Sequence, residues 1–281
     1  MGDSRLRTRL LTAATPFFIG VSLLIGGAAA SATPGPGRVE VNGHMLNLVC
    51  TGSGSPTIVF ESGLGDSGDV WTMTIGRLGS VHARKCRYDR YGLGLSDVPT
   101  STITRTVEQV AAEKHDLLAA AGINGPYILV SHSIAGLIDR YFAKVYPSQV
   151  AGAVMVDTAP DDWNVFTHTD LFSETAAAKL AVAPASQALR ASDRLGKSPL
   201  VVIESEYTQV VSSKSYWHKR QRALAKISSN SIFLVAKGSD HNVPYAAPKL
   251  IAKTIGLVVS SARKHKHLPK CKAAKLAGAR C

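Results

Sequence analysis

The sequence predicts an α/β protein in which helices cover both faces of a mostly parallel central sheet. Short runs of aliphatic and β-branched residues alternate with amphipathic segments through the body of the chain. Parallel strands require such crossover helices between them. Polar motifs directly follow several of the predicted strands. Because open α/β sheets bind ligands outside the carboxyl ends of their strands, we expect the functional site at these motifs.

The first 32 residues have the three parts of a secretory signal peptide. Three arginines within the first nine residues precede an apolar run over 10–30, and Ala30-Ser31-Ala32 then fits a cleavage site. Removal of this segment would leave about 250 residues, a length typical of one large domain. An uncleaved membrane anchor is the alternative, because the apolar run is just long enough to span a bilayer. The leader and the four cysteines predict a secreted or extracytoplasmic protein.

The N-terminal half of the body begins with a linker over 33–37. The segment 38–50 alternates between apolar and polar residues and turns at Asn42-Gly43, a dipeptide favoured in tight hairpins. Apolar residues at helical spacing mark 104–121. The predicted elements, in order, are a hairpin over 38–50, strands over 57–60 and 83–88, and helices over 70–78 and 104–121.

The C-terminal half continues the alternation of strands and helices. The segment 160–198 differs from its surroundings because it is rich in Ala and Ser and gives no strand signal. The predicted strands cover 127–130, 150–156, 200–203 and 231–235, and the predicted helices cover 135–146, 215–228 and 248–264.

Positive charge is concentrated in the last part of the chain. The formal net charge is +12, and the tail over 263–281 holds seven Lys or Arg residues and no acid. The body of the chain is therefore only mildly basic, which argues against a nucleic-acid partner. We expect a solvated tail that makes at most a weak contact with an anionic envelope surface.

The stretch Ser131-His132-Ser133-Ile134-Ala135 lies between a predicted strand and a predicted helix. A serine nucleophile occupies such a sharp turn in the pattern G-x-S-x-G. Ser131 and Ala135 replace the two glycines, but both are small and satisfy the steric requirement, and Gly136 follows. Ser133 is therefore a candidate nucleophile. The alternative from this stretch alone is a serine that caps the following helix.

Several further motifs follow one another along the chain. Phe60-Glu61-Ser62-Gly63-Leu64-Gly65 is similar to an oxyanion loop, although Glu61-Ser62-Gly63 replaces the usual His-Gly pairing. Tyr88-Asp89-Arg90-Tyr91-Gly92-Leu93-Gly94-Leu95-Ser96-Asp97 is similar to a D-R-x-G-x-G-x-S stretch, and Gly238-Ser239-Asp240-His241 resembles a histidine loop. With these motifs, residues 38–260 resemble the α/β-hydrolase family.

The resemblance implies the α/β-hydrolase fold, with a mostly parallel central sheet flanked by helices and a small cap between strands 6 and 7. The hydrolase domain would cover 38–262, its cap approximately 160–198, and a basic, cysteine-containing tail 263–281. An apolar inner face of the cap would cover the pocket, and the candidates for it are Phe166, Leu171, Phe172, Leu180 and Val182.

The resemblance also implies a triad in the chain order Ser, acid, His. Ser133 would be the nucleophile, and His241, in the loop after the last strand of the body, would be the general base. Asp157 is the favoured acid, because some family members, including haloalkane dehalogenases, carry the acid at this position. The alternatives are Glu204 and Glu206, which follow the next predicted strand, and Asp161 and Asp162, which come shortly after Asp157.

Two backbone N–H groups would complete the chemistry by stabilising an oxyanion. The first belongs to Ile134, which follows the nucleophile, and the second to Leu64 in the loop after an earlier strand. Glu61 in that loop is expected to pair with Arg90, which would be a structural role.

The four cysteines allow three pairings. The implied fold places the strands that carry Cys50 and Cys86 side by side, which favours a disulfide between them and leaves Cys271 to pair with Cys281. Buried free thiols together with a disordered tail are the alternative. No Cys or His spacing predicts a metal site, and we expect no cofactor.

The sequence therefore predicts a secreted serine hydrolase, of the carboxylesterase or lipase kind, that cleaves carboxylic esters through an acyl-enzyme at Ser133 with His241 as base. An amide, lactone or thioester hydrolase and a cofactor-free haloperoxidase are alternatives that use the same triad. A non-catalytic hydrolase-fold binding protein is the alternative from another class. The expected partner is a small-molecule ester or acyl substrate, and the expected state is a monomer.

Overall fold

The computed structural model describes residues 1–2, 37–160, 171–182, 188–189, 195–208 and 213–281. The predicted signal peptide, apart from its first two residues, and much of the predicted cap lie outside this part of the chain. The same holds for Asp161, Asp162, Phe166 and the side chain of Leu171.

Strands in the described residues form two sheets. The strands are β1 (Gly37–Val41), β2 (His44–Thr51), β3 (Thr57–Glu61), β4 (Lys85–Tyr88), β5 (Ile103–Thr106), β6 (Tyr127–His132), β7 (Val150–Val156), β8 (Leu171–Ser173), β9 (Ala178–Ala181), β10 (Leu200–Tyr207), β11 (Ser231–Asp240) and β12 (Ala279–Arg280). The nine-stranded sheet has the order β1-β2-β4-β3-β6-β7-β10-β11-β12. Neighbouring strands are parallel from β4 to β11, and the pairs β1–β2, β2–β4 and β11–β12 are antiparallel. The predicted mostly parallel sheet is therefore confirmed.

Helices cover both faces of this sheet, which explains why all six residues of β6 are buried. One apolar cluster packs α2 and α3 against one face, and a second packs α1 and α6 against the other. Within the described ranges, no helix has both the length and the apolar character needed to cross a bilayer. The helices are α1 (Thr72–Gly76), α2 (Val107–Ala120), α3 (Ala135–Val145), α4 (Lys214–Leu224), α5 (Val243–Ala246) and α6 (Pro248–Lys264).

The start of α2 differs from the prediction. The residues 104–106, predicted as the first turn of a helix, belong to strand β5, and the helix begins at Val107. The Thr106 hydroxyl accepts from the Gln109 amide at 3.2 Å, and the Gln109 side chain accepts from the Thr106 amide at 2.8 Å. This reciprocal cap fixes the boundary, and the β-branched residues before it favour an extended chain.

Strands β8 and β9 occur in the segment 160–198, for which no strand was predicted. They form a three-stranded sheet with β5, in the order β5-β9-β8. The residues of β9 are Ala-Lys-Leu-Ala, which have a low strand propensity, so the pairing with β5 rather than local preference makes this segment extended. The predicted helix over 70–78 is also shorter than expected, because a 3₁₀ turn over Gly68–Trp71 precedes α1.

Disulfides join Cys50 to Cys86 and Cys271 to Cys281. The first lies between adjacent strands β2 and β4, in which Cys50 and Cys86 are direct register partners. The second closes a loop in the tail, whose strand β12 pairs with β11 at the edge of the large sheet. The tail therefore contributes a strand to the sheet.

Candidate active site

Ser133 lies on the sharp turn between β6 and α3, with a backbone φ of +57°. A positive φ is strained for a residue other than glycine, so the surrounding contacts must impose it. The Ser133 carbonyl accepts from the amides of Gly136 at 3.1 Å and Ala159 at 2.9 Å. A Cβ on Gly136 would stand 2.4 Å from the Cβ of Thr158. The close packing at this turn thus requires glycine at 136 and accepts alanine at 135.

His241 follows β11, and its Nε2 lies 2.9 Å from the Oγ of Ser133. A neighbouring imidazole supports the loop that carries it, because the Nε2 of His132 donates to the His241 carbonyl at 2.8 Å. Burial, and secondarily the adjacent His241, lower the pKa of His132 to about 4. His132 is therefore neutral near pH 7 and serves as a hydrogen-bond donor to the loop.

Asp157 stands at the end of β7, is fully buried, and has a φ of +46°. Its Oδ2 lies 2.7 Å from the Nδ1 of His241. Ser205 donates to it twice, from its amide at 2.9 Å and its hydroxyl at 2.8 Å, and the Trp217 indole N–H donates at 2.8 Å. These contacts orient the carboxylate, which in turn keeps a proton on Nδ1 of His241 and leaves Nε2 free to accept from Ser133.

The alternative acids have other partners. Glu204 is 2% exposed, and its Oε2 lies 2.7 Å from the Nδ1 of His218. Burial raises the pKa of Glu204 above its usual value. Glu206 accepts from the Gly238 amide at 2.8 Å and from Arg280 at 3.0 Å. Of the predicted acids in the described chain, Asp157 is the one in contact with His241.

The two predicted oxyanion donors border the same cavity as Ser133 and His241. Ile134 is the N-cap residue of α3, so its N–H belongs to the end of the helix where amides lack intrahelical acceptors and the dipole favours negative charge. Leu64 lies in the loop after β3. Arg90 restrains this loop by donating hydrogen bonds to the carbonyls of Ser62 and Gly63, both at 2.7 Å.

Arg90 is the centre of a buried ionic network, with 1% of its surface exposed. It donates to Glu61 at 2.8 Å, which is the predicted pair, and its Nε donates to Glu174 at 2.8 Å. Glu174, on the turn between β8 and β9, also accepts from Arg105 at 3.3 Å. The sequence offered no signal for Glu174, because it lies 84 residues from Arg90 in a segment without a recognisable motif.

The cavity beside Ser133 has a volume of about 330 Å³. Phe172, one of the predicted cap residues, lies in its wall, whereas Leu180 and Val182 are buried in the core instead. Within the described ranges, no cluster of His, Cys, Asp or Glu is arranged to hold a metal ion. The described lining residues are Gly63, Leu64, Asp66, His132, Ser133, Ile134, Phe172, Trp217, His241 and Asn242.

Three residues of the site were not predicted from the sequence. The donors Ser205 and Trp217 lie 48 and 60 residues from Asp157 along the chain, and neither belongs to a recognisable motif. Asp66 comes directly after the motif that predicted the oxyanion loop, and it lies in the wall of the cavity. Trp217 lines the cavity as well, whereas Trp71 is a core residue packed on Phe60.

Comparisons with known proteins agree with this architecture. A family model for the alpha/beta hydrolase fold matches residues 56–201. The uncharacterized protein YqjL of Bacillus subtilis (strain 168) is 30% identical over 210 residues, which cover 71% of this chain and 82% of YqjL. The putative carbamate hydrolase RutD of Escherichia coli O9:H4 (strain HS) is 35% identical over 103 residues, but these cover only 37% of this chain and 38% of RutD.

A solved structure with the same fold is that of a thermophilic esterase from Thermogutta terrifontis. It superposes with a TM-score of 0.63 and 17% identity, over 82% of this chain and 99% of that one. At this identity the likeness establishes the fold and leaves the substrate open. The family model and the coverage of YqjL, by contrast, are extensive. The chain therefore belongs to the alpha/beta hydrolase fold family and is a hydrolase of that fold.

Proposed function

We propose that this chain is an exported serine hydrolase that cleaves carboxylic esters through an acyl-enzyme at Ser133. The observation that carries the proposal is a continuous hydrogen-bonded line of three side chains. It runs from Asp157 to His241 at 2.7 Å and from His241 to Ser133 at 2.9 Å. A serine hydroxyl is a weak nucleophile until a base accepts its proton, and this line supplies that base and its orienting acid.

Acylation would begin when the Oγ of Ser133 attacks the ester carbonyl carbon as the Nε2 of His241 takes the hydroxyl proton. Asp157 stabilises the imidazolium that forms. The carbonyl oxygen becomes an oxyanion, which the N–H groups of Leu64 and Ile134 would stabilise. The C–O bond to the alcohol then breaks, and His241 returns its proton to the departing alcohol oxygen.

Deacylation would repeat these steps with water. His241 takes a proton from a water molecule that attacks the acyl carbon, and the same two N–H groups receive the second oxyanion. Collapse breaks the bond to Ser133, releases the carboxylic acid and restores the serine hydroxyl. The reaction needs no group beyond the side chains and amides of the site.

The size of the cavity favours small esters. A volume of about 330 Å³ is near the lower end of the range for small-molecule sites. Phe172 and Trp217 contribute apolar surface to its wall. We therefore propose a carboxylesterase with short or compact acyl groups as its substrates.

Fluorophosphonate labelling tests the nucleophile directly. The purified protein should form a covalent adduct at Ser133, located by peptide mass spectrometry, and should hydrolyse p-nitrophenyl esters. Ser133→Ala, at an unchanged melting temperature, should show neither. Folded wild-type protein that neither reacts with the probe nor turns over any ester would instead support a hydrolase-fold binding protein.

Export is a second part of the proposal. Two disulfides support an oxidising compartment, and the N-terminal segment has the composition of a signal peptide. Expression of the full chain in its natural host, followed by N-terminal sequencing of the extracytoplasmic protein, should give a mature terminus close to Thr33. Recovery of the intact chain in the cytoplasm would contradict export.

A further inference from the structure

A carboxylate that the proposed mechanism does not use lies in the wall of the catalytic cavity. Asp66 is partly buried on the loop after β3. Its Oδ2 is 3.0 Å from the point where a Cβ on Gly63 would stand, so the carboxylate lies against the oxyanion loop. Within the described chain, this carboxylate has no ion pair and no hydrogen-bond donor.

The position of Asp66 has an electrostatic consequence for catalysis. Ester hydrolysis develops negative charge on the oxyanion, and a second negative charge beside it opposes that development. Burial raises the pKa of Asp66, although the charges of Arg90 and His241 act in the opposite direction. Among the described residues that line the cavity, none is Lys or Arg. Arg90 forms no ion pair with Asp66, because its N–H groups donate to Glu61, Glu174 and the carbonyls of the loop. No Lys or Arg in the described cavity wall therefore pairs with this carboxylate.

A positively charged substrate would reverse this effect. Its cation would pair with the partly buried Asp66, and Coulomb attraction is stronger at such a position than in bulk water. The pair would also remove the repulsion that the oxyanion meets. A negatively charged substrate would be repelled by both Asp66 and the oxyanion. A neutral substrate would gain no electrostatic stabilisation from Asp66.

We propose that Asp66 makes the site selective for esters that carry a cationic group close to the scissile bond. The proposal rests on ester hydrolysis at Ser133 and adds the class of substrate. The cation can belong to the acyl part or to the alcohol part, since Asp66 lies beside the carbonyl-binding loop that both parts approach.

Two isosteric pairs of esters test the proposal, because trimethylammonium and tert-butyl groups have nearly the same shape. On the acyl side, p-nitrophenyl 4-(trimethylammonio)butanoate is compared with p-nitrophenyl 5,5-dimethylhexanoate. On the alcohol side, acetylcholine is compared with 3,3-dimethylbutyl acetate. All rates are measured at pH 8, far above the usual pKa of an aspartate, and are corrected for spontaneous hydrolysis.

The wild-type protein should prefer the cationic ester, by kcat/KM, about five- to tenfold in at least one pair, somewhat above the effect of an exposed ion pair. Asp66→Asn should bring that ratio close to one, chiefly by lowering kcat/KM for the cationic ester. The pair that shows the preference identifies the part of the ester that carries the cation.

Asp69→Asn is the matched control. Asp69 lies on the 3₁₀ turn that follows the loop, and 72% of its side chain is exposed, where it pairs with Arg87. Its substitution by Asn removes the same charge outside the cavity. This variant should keep the wild-type preference. Turnover of the neutral esters without any preference, or an equal preference in Asp66→Asn, would overturn the role of Asp66 and leave the ester hydrolase intact. Folded protein that hydrolyses none of the four esters would overturn both proposals.

Discussion

At the scale of single residues, Asp157 has the most demanding position in the site. A fully buried carboxylate is unfavourable unless hydrogen-bond donors surround it. Ser205, Trp217 and His241 together make these contacts. The positive φ of +46° directs the end of β7 so that its side chain can reach all three. The surrounding structure therefore holds the acid in one orientation, and the acid holds the imidazole.

Asp157→Asn should lower kcat about 10³- to 10⁴-fold, because the amide cannot stabilise the imidazolium and can favour the wrong tautomer. Glu204→Gln is the matched control, since Glu204 is also a buried carboxylate, within the adjacent strand β10, but contacts His218. We expect its kcat to change less than a few-fold. Steady-state kinetics and melting temperatures of both variants check this. Near-normal turnover by Asp157→Asn would remove it from the triad.

At the scale of elements, the hairpin of β8 and β9 lines the substrate cavity and also contacts the oxyanion loop. Phe172 in β8 lines the cavity, and Glu174 in the following turn accepts from Arg90 at 2.8 Å. A Cβ on Gly65 would stand 3.3 Å from the Glu174 carbonyl, so the turn packs directly on the loop. Because Arg90 also holds the carbonyls of that loop, Glu174 is in a position to orient the oxyanion donors through Arg90.

Glu174→Gln should lower kcat about tenfold with a smaller change in KM. The neutral amide cannot restrain Arg90 as a carboxylate does, so the oxyanion donors shift. Their displacement destabilises the transition state more than the bound substrate, because the oxyanion forms only in the transition state. The rate of fluorophosphonate labelling should fall in parallel. Glu174→Asp, which retains the charge, should recover part of the loss.

The control variant Glu113→Gln tests whether Glu174 acts by positioning Arg90 or only by stabilising the fold. Glu113 pairs with Arg105 at 2.9 Å and is buried like Glu174, but it does not contact Arg90. Both glutamine variants should lower the melting temperature, since each weakens a buried ion pair. Only Glu174→Gln should lower kcat. Equal losses of kcat in the two variants would mean that the network acts through stability alone.

At the scale of the whole molecule, the local patterns of the sequence were sufficient to predict most strands and helices of the body and the turn at Ser133. That turn needs a buried strand, small residues and the first turn of a helix, all within about ten positions of one another. The role of the His241 loop and the disulfide between Cys50 and Cys86 followed instead from the resemblance to the α/β-hydrolase family, whose fold places the two cysteine-bearing strands side by side.

The parts that could not be predicted depend on contacts between distant segments. Strand β9 is extended because β5 pairs with it, although its Ala and Lys residues have little strand preference of their own. The donors to Asp157 and the partner of Arg90 are supplied by segments that no motif marks. Local propensity is a weak guide wherever tertiary pairing or a buried charge determines the conformation.

The two disulfides cross-link loops of different length and therefore should contribute unequally to the stability of the molecule. Cys50 and Cys86 are 36 residues apart and buried within the large sheet. Cys271 and Cys281 are 10 residues apart in the tail. A cross-link stabilises mainly by restricting the unfolded chain, and the restriction grows with the length of the closed loop.

Replacing Cys50 and Cys86 by alanine should lower the free energy of unfolding by about 4 kcal/mol, and replacing Cys271 and Cys281 by about 3 kcal/mol or less. The difference should increase further because the first pair also loses buried contacts. Urea unfolding of the two double variants, compared with the wild type, measures both values. Since neither disulfide contacts Ser133, Asp157 or His241, specific activity in folded protein should be retained in both. If the variant without Cys271 and Cys281 is less stable than the variant without Cys50 and Cys86, the pairing of β12 with β11, rather than loop length, determines which disulfide contributes more to stability.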